Sequence, residues 1–514
     1  MADRNDPFRV KLGPSAGQPP AKAGRQAEEI AKPCDCGGKA MGGNGFHYPG
    51  GPGCRKGAKT TGAPGVFVGS TQKTAQWGLL GTSDKTRVGL DLDGCNTVAL
   101  LGVQGGGKSY TLGVIAEMAT LQLPGINHLP KPLCTIMFHY DQSESYEPEF
   151  LSALRKNTRK TDVTQLADEY GATPAALADV VLLVPETKVE HRREQYQDLG
   201  IQVEPIKFDP SELKGMGWKI LMGAYGNDAL YLRQLGAILS RIRNDISLDS
   251  LRAEITDAGL SRSIEQLALD RINLAEPFIL EGRGRSPRRP KPIERPAAPA
   301  DELDEGEPPI VAETERQAAE KETELAGEAP RGIGTLLKAG RTIIVDLRDM
   351  YMEKAKALEL IVVMMDVFGA AERDKYGRTD FNRLFVLDEA HQYIDEEELV
   401  AQLIGTVRKM RHLGMTIVLA SQDPPSIHKT IIELSTVVIL HRMTSPAWLK
   451  HLRGAIYALE EVSEKDLAEL GPGEAFVWAQ KTNDRRFNIR PQRIQIRPRC
   501  TAHGGDTKTA VQDD

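Results

Sequence analysis

Leu100-Leu101-Gly102-Val103-Gln104-Gly105-Gly106-Gly107-Lys108-Ser109 is the stretch that decides the fold. Gly102 to Ser109 fits the phosphate-binding pattern G-x-x-x-x-G-K-[ST]. Thr97–Leu101 reads as a buried strand before it, and Tyr110–Met118 as a helix after it. Glycines let a backbone wrap an anion with its N–H groups turned inward. The start of the following helix adds partial positive charge. Gly102, Gly105, Gly106, Gly107, Lys108, Ser109 and Tyr110 are therefore the expected nucleotide contacts. Lys108 would reach the β- and γ-phosphates of ATP, and Ser109 would hold Mg²⁺.

A second strand completes this chemistry. Arg383-Leu384-Phe385-Val386-Leu387 runs into Asp388-Glu389-Ala390-His391. Carboxylates at the carboxyl end of a buried parallel strand stand where α/β sheets bind ligands. Asp388 would hold Mg²⁺, and Glu389 would orient the attacking water. Phosphoryl transfer asks for positioning and charge neutralisation more than covalent chemistry, so few groups suffice. His391 reads either as a relay or as an ordinary helix-start histidine. Met415–Ser421 is a further strand ending in Gln422, a candidate sensor of the γ-phosphate. Arg408, Lys409, Arg411 and His412 precede that strand, and one of them is a candidate arginine finger toward a neighbouring subunit. Thr436–Leu440 ends in His441-Arg442, where Arg442 is another candidate.

The remaining chain divides around these pieces. Residues 1–60 are rich in Gly, Pro, Lys and Ala and have no apolar period. Within them Cys34, Cys36, His47 and Cys54 are either a zinc site or free cysteines in a tail. Residues 61–96 form a short β element. Residues 97–227 hold the first part of the α/β core, with strands at Thr135–Tyr140 and Val180–Pro185. Residues 228–281 show a helical period and read as an all-α insert. Residues 282–332 are a charged linker, basic and Pro-rich at first. Its 301–328 portion carries eleven carboxylates against two basic side chains, a composition that cannot bury a core. Residues 333–480 return to the core, with a strand at Arg341–Leu347 and a helix at about 353–371. Residues 481–514 alternate basic and apolar side chains and read as a strap across a neighbouring subunit or as a solvated edge strand.

Bulk properties limit the function classes. The 514 residues are 40% hydrophobic and 26% charged, as in water-soluble globular chains. No apolar run approaches the roughly 20 residues of a membrane span. Met1–Asp6 lacks the apolar core of a secretory signal, which makes a cytoplasmic location the default. The net charge of −6 does not announce a nucleic-acid partner. With the acidic stretch set aside the rest is mildly basic, so such a partner is not excluded either. Arg155, Lys156, Arg159 and Lys160 form a candidate phosphate-facing patch or a solvated helix surface.

The ordered set of Gly102–Ser109, Asp388–His391, Arg411-His412-Leu413-Gly414, Ala420–Pro424 and Gly471–Ala475 resembles the HerA branch of the HerA/FtsK ATPases, over about residues 64–480. The resemblance implies a RecA-like core with a mainly parallel sheet, assembled as a homohexamer. It implies ATP-driven translocation of double-stranded DNA, beside a partner nuclease or another effector. It also implies roles: catalytic acid for Glu389, sensor for Gln422, trans-acting arginine for Arg411, and a second arginine for Arg442. The sequence departs from the family's pattern in its short N-terminal β element and its acidic linker. Two other readings stay open: a conjugation- or secretion-type motor, and an ATP-ordered ring scaffold that activates a bound effector.

Overall fold

The computed structural model describes residues 62–143, 148–225, 230–243, 246–280, 332–371, 379–394, 396–410 and 413–504. The tail with Cys34, Cys36, His47 and Cys54 lies outside these residues, as does the charged linker as far as residue 331.

One large sheet carries the fold. Its first strands are β1 (Val66–Val68), β2 (Trp77–Ser83), β3 (Thr86–Asp91), β4 (Thr97–Leu101), β5 (Asn127–His128), β6 (Cys134–His139), β7 (Val180–Val184) and β8 (Gln202–Pro205). After the helical region come β9 (Thr342–Asp346), β10 (Arg383–Leu387), β11 (Met415–Ser421), β12 (Val437–Leu440), β13 (Glu474–Ala479) and β14 (Gln492–Ile496). The strand order is β1-β3-β2-β14-β13-β12-β4-β11-β10-β6-β9-β7-β8, with β5 paired to β2. From β12 to β8 every neighbouring pair is parallel. The fold is α/β, with the phosphate-loop strand β4 and the Asp-Glu strand β10 on either side of β11. This is the RecA-like arrangement expected from the sequence.

The apolar runs explain why these strands are central. β4, β6, β7, β9, β10, β11 and β12 are buried along their whole length. Successive side chains point to opposite faces. Val98, Leu100, Val386 and Val418 thus join one core, with the helix Lys108–Thr120. Ala99, Leu101, Phe385 and Leu419 join the other, with the helices Gly215–Leu221, Lys354–Ala370 and Glu397–Met410. The helices Leu230–Ile242, Leu248–Asp257 and Arg262–Ala275 extend the second core through Leu235, Ile238, Leu251, Ile255 and Ile272. None of the helices among the described residues is long and apolar enough to cross a membrane.

The basic C-terminal stretch does not reach away from its own chain. β14 is inserted between β2 and β13, antiparallel to both. The following residues then lie along the helix Lys108–Thr120. Arg497, fully buried, reaches Glu117 at 2.6 Å and the carbonyl of Leu79 at 2.7 Å. Glu117 also accepts from the backbone N–H groups of Cys500 and Thr501 and from the Thr501 hydroxyl. A buried carboxylate is tolerated when it is both paired and hydrogen-bonded, as here. The alternation of cations and apolar residues is thus that of a strand within the sheet, followed by a clamp on the phosphate-loop helix.

Removing one partner leaves the other charge buried and alone. Glu117→Ala is expected to destabilise the protein by about 3–5 kcal/mol, and Glu117→Gln by less. Denaturant unfolding of the two variants beside wild type checks this; equal stability of Glu117→Ala and wild type would contradict the clamp.

Candidate functional site

The phosphate loop leaves β4 at Leu101 and enters its helix at Lys108. Gly107, the residue before the helix, has φ 103°, a left-handed backbone suited to glycine. No side chain caps this helix start, which leaves first-turn N–H groups facing the loop, as an anion site requires. Lys108 is buried, and its Nζ donates to the Val103 carbonyl at 3.2 Å across the loop. Burial lowers its pKa, while Glu389, Asp388 and Glu149 act in the opposite sense.

The floor of the loop comes from β12. Val103 donates its N–H to the Arg442 carbonyl at 3.0 Å. The His441 ring fills the space beside Gly107, 3.2 Å from where a Cβ would sit. Its Nδ1 lies 3.0 Å from the Glu474 carbonyl and its Nε2 2.9 Å from the Thr111 hydroxyl. A carbonyl only accepts, so Nδ1 carries the proton and Nε2 accepts from Thr111. Burial holds this imidazole neutral, with its pKa lowered to about 4. Sequence reasoning passed over His441 as the neighbour of Arg442. Its role depends on Thr111 and Glu474, which are distant in the chain and give no local signal.

In-register pairing brings the second half of the site alongside. Leu387 pairs with Leu419, and Ser421 with Leu101, so Asp388, Gln422 and Gly102 leave the same edge of the sheet. Asp388 is buried; its Oδ1 accepts the Glu389 N–H at 3.1 Å, and its Oδ2 lies 3.8 Å from His139 Nδ1. His139 ends β6 beside Asp346 of β9. Asp346 in turn binds Arg348 at 2.7 Å and Arg192 at 3.1 Å. This buried network backs the Asp388 side chain with fixed charges. Burial opposes protonation of His139, but its carboxylate neighbours, Asp388 first, raise its pKa.

Glu389 is a non-glycine residue at φ 45°. Strain of this kind costs on the order of 1–3 kcal/mol and gathers at functional positions. Its Oε2 is buried without a hydrogen-bond partner and stands 3.3 Å from His391 Nδ1. Across the edge, His391 Nε2 meets Gln422 Nε2 at 3.4 Å. Glu389, His391 and Gln422 therefore form a short row bridging the ends of β10 and β11. Burial and the adjacent Asp388 push the Glu389 carboxyl up to about 7, while burial lowers the His391 pKa.

A strained carboxylate with an orphaned oxygen, beside an acidic neighbour and facing a lysine, fits a magnesium-bound nucleotide and its attacking water. Ser109 and Asp388 are the groups that would hold the cation. Among the described residues no group of three or more His, Cys, Asp or Glu is placed to hold a metal ion. Mg²⁺ keeps several of its waters and takes one or two protein ligands. The Arg442 side chain is exposed, although its backbone floors the loop. The Tyr110 side chain turns to the C-terminal segment, taking the Arg499 N–H at 2.8 Å. Arg411 lies outside the described residues.

No protein-family model matches the chain. Over 97 residues it is 31% identical to the probable DNA double-strand break repair helicase HerA of Methanocaldococcus jannaschii, which is 18% of this chain and 19% of that relative. The chain thus matches about a fifth of the length of this curated relative. Among solved structures, VirB4 of Thermoanaerobacter pseudethanolicus is 12% identical, with 83% of this chain and 98% of that chain covered and a TM-score of 0.41. The plasmid coupling protein TrwB in complex with the ATP analogue ADPNP is 12% identical, with 84% and 92% covered and a TM-score of 0.44. The chain is a P-loop α/β protein that resembles HerA-like ATPases in sequence.

The raised Glu389 carboxyl yields a pH prediction. Its folded pKa of about 7 exceeds the ordinary 4.5. Its ionisation therefore costs stability fully above pH 7 and not at all below pH 4.5. Glu389→Gln is expected to raise the Tm of nucleotide-free protein at pH 8 by about 2–4 °C per kcal/mol relieved, with the gain fading toward pH 4.5. Thermal melts of both proteins across that range check it; a gain that is flat with pH would contradict the assignment.

Proposed function

We propose that this chain is an ATP-hydrolysing, HerA-type motor that moves double-stranded DNA as a homohexameric ring and works beside a nuclease or other effector. The observation that carries the ATPase reading is the convergence of the phosphate loop with Asp388, Glu389 and Gln422 on one edge of the sheet. The DNA and ring readings come from the resemblance to HerA, whose matched relative is named as a DNA repair helicase.

In this reading Lys108 and the loop N–H groups bind the phosphates of ATP. Ser109 and Asp388 hold Mg²⁺, which when bound neutralises charge on the phosphate oxygens. Glu389 orients a water and accepts its proton at Oε2, the orphaned oxygen. A carboxyl with a pKa near neutrality is suited to that task. His391 joins Glu389 to Gln422, so a change at the γ-phosphate side of β11 is felt at the base. Arg442 reaches outward from the floor of the loop.

Arg411 fits a role in trans. That role is what the resemblance to HerA implies for it, toward the nucleotide of a neighbouring subunit. Phosphate contacts of a translocase are sequence-independent and salt-sensitive, so a mildly basic body suffices for them. The cysteine–histidine set at Cys34, Cys36, His47 and Cys54 remains a candidate zinc site within the tail.

The test is steady-state ATP turnover with and without linear double-stranded DNA, with the oligomeric state read in the same samples. Wild type is expected to form a hexamer whose turnover rises with DNA. Lys108→Ala and Glu389→Gln are expected to lose at least about 100-fold, in line with removal of groups that stabilise or activate in the transition state. Turnover by a ring indifferent to DNA would replace DNA with a protein cargo or effector. No turnover at all, with intact ATP binding, would favour a scaffold ordered by nucleotide.

A further inference from the structure

Four cations fall within a short stretch at Arg155, Lys156, Arg159 and Lys160, and the nucleotide site uses none of them. They do not form the surface of a helix. Lys160 begins the helix Lys160–Gln165, and the other three lie in the loop that leads into it. All four are exposed. No ion pair among the described residues engages Arg155, Lys156 or Lys160.

This loop is held in shape by the C-terminal segment. Lys156 and Thr501 form an antiparallel bridge. Ala502 donates its N–H to the Arg155 carbonyl at 2.8 Å, and Asn157 donates its own to the Cys500 carbonyl at 3.1 Å. The Asn157 side chain is 7% exposed and acts as a staple. Its Nδ2 donates to the Arg499 carbonyl at 2.8 Å and to Asp162 Oδ2 at 3.1 Å, and its Oδ1 accepts the Arg159 N–H at 2.9 Å. Asp162, the carboxylate that follows the cations in sequence, is also engaged by the Tyr110 hydroxyl at 3.4 Å and by Thr161 at 3.3 Å. The fold thus fixes four like charges close together and uses the neighbouring carboxylate elsewhere. A bound polyanion offsets their mutual repulsion.

Length and composition narrow the polyanion. The five peptide steps from Arg155 to Lys160 span at most about 18 Å, over which duplex DNA presents about ten phosphates. One small anion meets only part of such a row. Between Arg155 and Lys160 there is no apolar or aromatic side chain. The loop therefore lacks the buried anchors of a protein interface and the rings on which single-stranded bases stack. Arginine and lysine contacts to a duplex backbone need neither.

We propose that Arg155, Lys156, Arg159 and Lys160 form a binding loop for the phosphate backbone of duplex DNA. The proposal rests on the DNA reading above and gives that reading a place of contact on the chain.

The experiment is binding of a labelled linear duplex to the full chain, followed by fluorescence anisotropy across a salt series. The combined variant Arg155→Ala/Lys156→Ala/Arg159→Ala/Lys160→Ala is expected to bind about 10-fold or more weakly, with the slope of log K against log salt reduced by about 3–4. The pair Arg155→Ala/Lys156→Ala is expected to reduce it by about 2, and decides alone if melting curves show the combined variant unfolded. The control pair Lys429→Ala/Lys465→Ala removes two exposed cations that each face a glutamate, and is expected to bind like wild type. Wild-type affinity and slope in the folded loop variants overturns the proposal and leaves the DNA reading standing, as does an equal loss in the control pair. A wild type that binds no duplex at any salt overturns both. If such a protein binds vesicles containing phosphatidylserine, and the loop variants do not, the loop belongs to a membrane surface instead.

Discussion

The in-register parallel pairing of β12, β4, β11, β10 and β6 is the constraint on which the site depends. Each of these strands ends within two residues of its neighbour, so the groups that follow share one edge. Gly102, Asp388, Gln422, His441 and His139 meet there although they lie up to 339 positions apart in the chain, as His441 and Gly102 do. No side-chain bond could gather them so reliably. A slip by one residue would turn Leu387 or Leu419 out of its core and move its carboxylate or carboxamide to the wrong face. Two apolar cores, one on each side of the sheet, hold the register.

Charges placed behind that edge give it rigidity. Asp346, Arg348, Arg192 and His139 stand beneath Asp388, and Arg497 pairs with Glu117 of the phosphate-loop helix. Buried charges of this kind add little net stability against an apolar core of the same volume. What they supply here is direction, because each carboxylate has its oxygens assigned to particular donors. Glu389 is the exception. It sits in a left-handed backbone with one oxygen unassigned, next to Asp388, whose Oδ1 accepts the Glu389 N–H.

Much of this was legible in the sequence where one element carries the whole signal. The phosphate loop is legible from its glycine and lysine spacing, and β4, β6, β7, β9, β10 and β11 are continuous apolar runs closed by breakers or polar residues, where the structure has strands. The mainly parallel α/β fold followed from them. β2 falls within the expected 61–96 β element, but Gly78 and Gly81 blur its own alternation; Met118 and the Gln495 backbone occupy the space their side chains would take. β14 was ambiguous because alternating arginines read equally as an edge. Only the tertiary partner, a carboxylate about 380 residues earlier, shows that Arg497 points inward. His441 belongs to no motif, and its role exists only once distant segments have met.

β14 has a further consequence for how the chain is made. It lies between the N-terminal hairpin and the rest of the sheet, and its continuation supplies Glu117 with Arg497, Cys500 and Thr501. During synthesis the phosphate-loop helix emerges from the ribosome hundreds of residues before these partners. Until they arrive, Glu117 faces a core without a counter-charge and the hairpin has no strand to join it to β13. The helix that would cradle a nucleotide is therefore secured by sequence translated long after it. A nascent chain therefore holds a nucleotide cradle without its clamp until the last strand is made, so competence arrives late.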